Sequence, residues 1–156
     1  MQENRELVQK IGAGGYRGAD VYERKMAKLR SLQPAYEAHD KAMELASKGE
    51  MKPALDKVNE AIRLLPREAM FYALRGRIYQ EQKEAEKAAA DFEKAVELYP
   101  EMFKYRLYNG LNALRLNNLD KARENLIKAN AYYSKAAEAG GDVAEEAKRK
   151  LAALTQ

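Results

Sequence analysis

The segment AMFYALRGRIYQEQKEAEKAAADFEKAVELYPEM, residues 69–102, decides the fold because its key positions recur at a step of 34 residues. Pro100, near the end of this segment, has a counterpart 34 residues earlier at Pro66. Four further columns share this step, and internal repeats of this length indicate stacked structural units. The four columns are Ala42, Gly76, Gly110; Ala54, Ala88, Ala122; Ala61, Ala95, Ala129; and Val58, Phe92, Leu126.

The residue types in these columns fit pairs of packed helices. Small residues are needed where two helix backbones approach within about 8–10 Å, and three columns hold only Ala or Gly. The fourth column is always bulky and apolar, as expected for a side chain that fills the space between units. A two-helix unit of this size cannot bury its apolar faces alone, so the units must stack.

The sequence therefore predicts an all-α solenoid of three helix-turn-helix repeats over residues 35–136, in units 35–68, 69–102 and 103–136. Pro34 suits the first turn of a helix, Gly49 suits a helix end, and Asp142 suits the cap of a last helix. We expect residues 1–33 to form an N-terminal helical extension that caps the first repeat, and residues 137–156 a C-terminal capping helix. The predicted helices are 19–32, 34–48, 51–65, 67–82, 85–98, 101–116, 119–138 and about 142–154.

Charge composition argues against a dedicated nucleic-acid binder. The 28 basic and 24 acidic residues give a net charge of +4, but the two signs are interspersed, as on solvated helix faces. A weak RNA or anionic membrane-surface binder remains the third hypothesis. No segment approaches the ~20 apolar residues of a membrane-spanning helix.

The residue inventory also argues against catalysis in this segment. There is no cysteine, and His39 is the only histidine, so His-Glu-x-x-His zinc chemistry is impossible. Cysteine-histidine catalysis is excluded as well. No Gly-x-Ser-x-Gly nucleophile motif occurs, and Gly12-Ala13-Gly14-Gly15 lacks the Lys-Ser/Thr ending of a phosphate loop. We predict no enzyme, no metal site and no cofactor here.

These columns resemble the tetratricopeptide repeat (TPR) family. In the second unit the match is closest, and Leu74 lies one place early relative to the family's leucine. The first and third units depart more, with Ala38 and Ala113 where an aromatic residue is usual and Ser134 where the proline would be. The matching positions of the second unit are Tyr72, Gly76, Tyr79, Ala88, Phe92, Ala95 and Pro100.

The TPR resemblance implies a binding groove for a peptide or protein segment, lined by the first helix of each unit. Arg77 and Lys104 would give the groove two cations able to pair with a carboxylate. The alternative for Tyr36, Met43 and Met70 is packing between units, and for the two cations ordinary surface charge. Carried over by position, the groove residues are Tyr36, His39, Met43, Met70, Ala73, Arg77, Gln80, Lys104, Leu107 and Leu111.

One TPR variety, the carboxylate clamp that holds chaperone tails, fits this sequence poorly. The clamp uses Lys and Asn in the first unit, Asn in the second, and Lys and Arg in the third. Only one of five positions matches, which argues against a co-chaperone. The residues here are His39, Met43, Leu74, Lys104 and Tyr108.

A narrower resemblance points to a parent protein. The runs 32–38 and 65–76 are similar to the TPR tail of bacterial periplasmic zinc metallopeptidases of the HtpX/BepA kind. That resemblance implies a peptidase domain in the same parent chain, a role in envelope protein quality control, and a periplasmic location. The alternative is a freestanding TPR adaptor in a cytoplasmic or secretion complex.

Overall fold

The computed structural model describes residues 18–135, 149–150 and 152–153. Within residues 18–135 six helices follow one another: α1 (Gly18–Ser47), α2 (Met51–Leu64), α3 (Ala69–Glu81), α4 (Ala85–Leu98), α5 (Phe103–Arg115) and α6 (Leu119–Lys135). Helices α1 with α2, α3 with α4, and α5 with α6 form three packed pairs, and α1, α3 and α5 lie side by side. The predicted all-α solenoid of three helix pairs is confirmed.

The repeat columns form the core. The bulky residues Val58, Phe92 and Leu126 are completely buried, as are the alanines of the two small columns on α2, α4 and α6. A Cβ atom placed on Gly76 would lie 2.6 Å from Cε1 of Phe92, and one on Gly110 would lie 2.9 Å from Cγ of Leu126. The small residue in the first helix of each pair is therefore required by the bulky residue of the second helix.

The turn inside each pair adds a further column with the 34-residue step, which was not predicted from the sequence. Gly49, Lys83 and Asn117, each 34 residues apart, all have left-handed backbone conformations, with φ of 79°, 60° and 58°. In each turn this residue donates a hydrogen bond to the carbonyl three residues back, and the next residue bonds five residues back. This is a Schellman helix end, which favours Gly or Asn and strains a lysine.

The helix starting at Pro34 was predicted wrongly. Residues 18–47 form one helix, with Pro34 inside it on an exposed face. Proline in a helix removes one backbone hydrogen bond and costs about 3 kcal/mol. At Pro34 the carbonyl that loses its partner belongs to Arg30, whose side of the helix is open to water. Strong helix formers on both sides, such as Leu29 before it and Ala35 and Ala38 after it, continue the helix through it.

Two other parts of the predicted map differ. Helices α3 and α5 begin at Ala69 and Phe103, two residues later than expected, because residues 66–68 and 100–102 form the turns between pairs. Residues 19–32, predicted as a helix of their own, are the first half of α1 and are largely exposed, and the N-terminal cap over residues 1–33 stays a prediction. The predicted C-terminal capping helix and the Gly12–Gly15 stretch lie largely or wholly outside the described residues.

Candidate peptide-binding site

A surface pocket of about 470 Å³ lies between the end of α1, the start of α2 and the C-terminal part of α3. Its floor is apolar: Leu74 and Ile78 are buried in the core cluster of the first two pairs. Met43, half exposed, and Met51 form its walls. The polar rim and the remaining lining consist of Ala46, Ser47, Arg77, Gln80 and Glu81.

The pocket exists because of the repeat geometry. The Gly49 turn brings Met51 back beside the last turn of α1, while α3 packs across from it. Gly49 is the residue that allows this reversal, since its φ of 79° is the left-handed conformation. The apolar walls and open top make a site for one or two side chains of an extended segment.

Arg77 is held at the pocket rim without an acidic partner. Its guanidinium lies 5.5 Å from the ring centroid of Tyr108, a cation–π contact that orients it. Among the described residues Arg77 forms no ion pair. Lys104, exposed near the start of α5, also has none there. Both cations are free to meet carboxylates from a ligand.

Gln80 is fixed from the third repeat. Its Nε2 donates to Oδ1 of Asn112 at 3.2 Å, and Nδ2 of Asn112 donates to the carbonyl of Ala85 at 2.8 Å. Asn112 is completely buried. This amide bridge ties α3 to α5 and holds the side of the pocket nearest the third repeat in a single arrangement.

The structure brings together three of the ten predicted groove residues, Met43, Arg77 and Gln80, in this pocket. Met70 and Lys104 are exposed outside it, and Leu111 is half buried against the core of the third pair. His39, Ala73 and Leu107 are buried in packing contacts, at 8%, 5% and 2% exposure, which leaves them little surface for a ligand.

The buried His39 and the half-buried Tyr36 belong to one aromatic cluster. The rings of Tyr36 and His39 lie 5.5 Å and 5.3 Å from that of Phe71, which is completely buried. The Tyr36 hydroxyl donates to Oε2 of Glu68 at 2.8 Å, and this hydrogen bond, together with burial, raises the pKa of Tyr36. Nδ1 of His39 lies 3.3 Å from Oδ1 of Asp40. Tyr36 therefore links the first repeat to the start of α3.

The pocket residues that sequence reasoning missed carry a simple signal. Ala46 lies 34 residues before Gln80, so the register that selected Gln80 also selects Ala46. Ser47 and Glu81 share the next position of the repeat, which was not among the predicted groove positions. Leu74 and Ile78 look like plain core residues in the sequence, and the pocket exposes only their edges. Met51 required knowledge of how the Gly49 turn closes.

Binding to metals or insertion in a membrane has no support in the described part of the chain. No group of three or more His, Cys, Asp or Glu residues is placed to hold a metal ion among the residues 18–135, 149–150 and 152–153. Within the same residues, no helix has both the length and the apolar character needed to cross a bilayer.

The helix pairs, their 34-residue register and the inner surface formed by α1, α3 and α5 define a TPR domain. The family described as Tetratricopeptide Repeats-Sensor (TPR-S) matches residues 20–117, and the chain belongs to this family. No curated protein sequence is significantly similar to it.

Solved structures share the fold at low sequence identity. The first TPR of Spaghetti (RPAP3), bound to the HSP90 peptide SRMEEVD, superposes with a TM-score of 0.70 at 20% identity, covering 80% of this chain and 94% of that one. The TPR2B domain of yeast Sti1, in a complex with pHsp70, gives 0.71 at 22%, covering 80% and 98%. PcrH from Pseudomonas aeruginosa gives 0.72 at 18%, covering 78% and 92%.

Proposed function

We propose that this chain is a non-catalytic protein-interaction module that binds an extended peptide segment across α1, α3 and α5. The ligand places an apolar side chain in the pocket walled by Met43 and Met51 and an acidic group against Arg77. The observation that carries the proposal is the pairing of an open apolar pocket with an oriented, unpaired cation on its rim.

The apolar half of the proposal rests on the pocket lining. Met43 is 50% exposed, although it lies beside the buried Leu74 and Ile78. Methionine is flexible and polarizable, so a wall of two methionines adapts to ligand side chains of different shape. We therefore expect a preference for a medium-sized apolar residue such as Leu, Met or Phe rather than for one particular side chain.

The acidic half rests on charge. Arg77, on the pocket rim, and Lys104, outside the pocket at the start of α5, are both exposed, and neither forms an ion pair among the described residues. An arginine can bind a carboxylate through two parallel hydrogen bonds. Glu81 on the rim adds one negative charge. We expect the acidic residue of the ligand to follow the apolar anchor in the direction of α5.

The structural neighbours support a peptide as the ligand. Spaghetti and Sti1 were both solved in complexes with chaperone partners. The carboxylate-clamp positions of this chain, however, hold His39, Met43, Leu74 and Tyr108, and only Lys104 fits. His39 is buried against Phe71, so it does not replace the clamp lysine. The proposed ligand is therefore an internal acidic-apolar segment rather than a chaperone tail.

The test is peptide selection followed by calorimetry. A random peptide library selected on the domain should return sequences with an apolar residue close to an acidic one. Met43→Glu and Arg77→Glu should each weaken binding of a selected peptide at least about tenfold, which is about 1.4 kcal/mol. Ile127→Glu, which changes an exposed apolar residue on α6 outside the pocket, is the matched control.

Selection of peptides without this pattern, or binding that Met43→Glu leaves unchanged, would exclude the proposed site. Circular dichroism and thermal melting must be the same for all variants, because the three positions are exposed or half exposed.

Two hypotheses concern the protein to which this module belongs. A parent metallopeptidase of the HtpX/BepA kind has no support from the comparisons, and a reading frame with His-Glu-x-x-His upstream of this segment would be its test. A freestanding adaptor needs no such frame. The RNA or anionic-membrane hypothesis is disfavoured by interleaved ion pairs such as Lys48 with Glu44 and Lys128 with Glu124. Salt-dependent nucleic-acid binding would test it.

A further inference from the structure

The first helix is much longer than the helix that packs on it. α1 has 30 residues and α2 has 14, which at 1.5 Å per residue gives about 45 Å and about 21 Å. Since α2 runs back along α1 from Met51, it reaches about as far as Pro34. Residues 19–33 therefore project beyond the helix pair, and we call them the overhang. Within it, only Ala19, Met26 and Leu32 are even half buried.

The overhang carries a continuous apolar seam. The side chains of Tyr22 and Leu29 are 52% and 60% exposed, and a contiguous exposed apolar face of this kind is typical of an interaction surface. The seam residues are separated by steps of three and four, the a/d spacing of a coiled coil. They are Ala19, Tyr22, Met26 and Leu29, and the polar Gln33 occupies the next position of the same spacing.

The charged residues beside the seam indicate whether a partner helix would run parallel or antiparallel to this one. In this register Glu23 and Arg30 lie on one flank and Lys25 on the other. A parallel partner with the same sequence would set Lys25 against Arg30, two like charges. An antiparallel partner would set Glu23 against Arg30, two opposite charges. None of the three forms an ion pair among the described residues.

We propose that the overhang pairs with the overhang of a second copy of this chain in an antiparallel arrangement about a two-fold axis. Met26 then packs against Leu29 of the second copy, Tyr22 against Gln33, and Glu23 pairs with Arg30. Each contact occurs twice by symmetry. The interface would link two TPR domains end to end and leave both peptide pockets free.

The overhang is already helical before it contacts a second copy. Its helix continues without a break into residues 34–47, which are anchored by buried Ala35, Ala38 and Ala42. A short isolated helix would have to nucleate on binding, but an extension of an anchored helix does not. The exposed seam therefore associates at a lower entropic cost than a free peptide of the same sequence.

Sedimentation equilibrium over a wide range of concentration tests the pairing. The unaltered chain should form a dimer. Glu23→Arg and Arg30→Glu should each raise the dimer dissociation constant about tenfold, because two attractive pairs become repulsive. The double variant with both changes should return to the original value. Leu29→Asp should abolish the dimer, and Leu64→Asp, an exposed change outside the overhang, should not.

Three results would overturn the proposal. The first is a chain that stays monomeric into the millimolar range. The second is an Arg30→Glu variant that dimerises more tightly, as a parallel pair would. The third is a monomer that binds vesicles of anionic phospholipid and loses this binding in Leu29→Asp, which would assign the seam to a membrane surface. Peptide binding at the Met43 pocket, measured on the same variants, reports on the proposed function separately.

Discussion

The second and third helix pairs share one register but solve their packing differently. In the second pair, Gly76 faces the ring of Phe92, and Arg75 donates from Nε and Nη2 to the carboxylate of Asp91 at 2.9 Å and 2.8 Å. In the third pair, Gly110 faces the more adaptable Leu126. Arg75 and Asp91 are replaced there by Asn109 and Asn125, 34 residues on.

The polar contacts of Arg75 and of its counterpart Asn109 show this difference most clearly. Arg75 also donates from Nη1 to Oδ1 of Asn59 at 3.0 Å, so it joins α2, α3 and α4. Asn109 is 3% exposed, and its Oδ1 has no hydrogen-bond partner among the described residues. The repeat therefore preserves the approach of the backbones, while the polar contacts beside it are specific to each pair. The second pair, which forms most of the pocket, is the better satisfied one.

The largest effect should come from breaking the ion pair of the second helix pair. Asp91→Ala removes both carboxylate acceptors of Arg75 and leaves it only Asn59, and Asp91 itself is 4% exposed. We expect a loss of about 2–3 kcal/mol, below the full cost of a buried pair because Arg75 reaches solvent in part. Asn125→Ala loses mainly a hydrogen bond to the Lys121 carbonyl in its own helix and should cost about 1 kcal/mol.

Denaturant unfolding of both variants measures this difference in free energy. Equal losses for Asp91→Ala and Asn125→Ala would contradict the view that the ion pair distinguishes the two helix pairs. A slope that changes between variants would show altered cooperativity, and then the free energies could not be compared.

The next effect concerns the two glycines. In Gly76→Ala the added methyl meets Cε1 and Cδ1 of Phe92 at 2.6 Å and 2.8 Å, and a buried ring has nowhere to move. Overpacking costs about 1–3 kcal/mol and better helix propensity returns about 1 kcal/mol, so we expect a net loss of about 1 kcal/mol. Gly110→Ala meets Cγ and Cδ2 of Leu126 at 2.9 Å and 3.0 Å, and leucine can change rotamer.

Gly110→Ala should therefore cost less than Gly76→Ala, although its methyl also meets the carbonyl oxygen of Ala122 at 3.3 Å. Phe92→Leu would give the second pair the bulky residue of the third, so the Gly76→Ala cost should shrink in that background. Thermal melting of Gly76→Ala, Gly110→Ala, Phe92→Leu and the Gly76→Ala/Phe92→Leu double variant measures these differences in stability. If Gly110→Ala were the more costly of the two, the ring of Phe92 would not be the limiting contact.

The third prediction removes the unpartnered amide of the third pair. Asn109→Leu keeps the side chain similar in size and deletes the buried Oδ1, so stability should rise by about 1 kcal/mol. Asn112→Leu is the matched control, since its amide bonds both Gln80 and the Ala85 carbonyl, and it should lose about 2 kcal/mol. A destabilised Asn109→Leu would show that this amide makes contacts its surroundings do not suggest.

Much of this architecture could be predicted from the sequence, and the comparison of the second and third helix pairs shows which features those are. Columns such as Gly76 with Phe92 depend on periodicity, which a sequence displays directly. The unbroken α1 could not be predicted from Pro34, because the cost of a proline depends on whether water reaches the freed carbonyl. For the site, periodicity gave the helix faces of Met43 and Arg77, but the burial of His39 and Leu107 depends on how closely neighbouring helices approach.

The smallest effect should appear at the left-handed residue of the turn inside each helix pair. Lys83 has φ of 60°, a left-handed conformation that costs a residue with a Cβ atom about 1 kcal/mol. Its side chain is exposed and forms no ion pair among the described residues, so Lys83→Gly removes strain without removing a contact. Glycine also gains freedom in the unfolded chain, which offsets part of the benefit. We expect a net gain of about 0.5 kcal/mol.

Asn117→Gly, at the same position of the third pair, should change stability much less, because asparagine adopts the left-handed conformation readily. Lys83→Asn should fall between the two. Hydrogen exchange of the Glu84 amide, which bonds the Tyr79 carbonyl in the helix end, gives a local readout beside global unfolding. Slower exchange in Lys83→Gly with no matching change in Asn117→Gly would locate the strain in the turn of the second pair. Equal gains in both would instead assign the benefit to the loss of any side chain at this column.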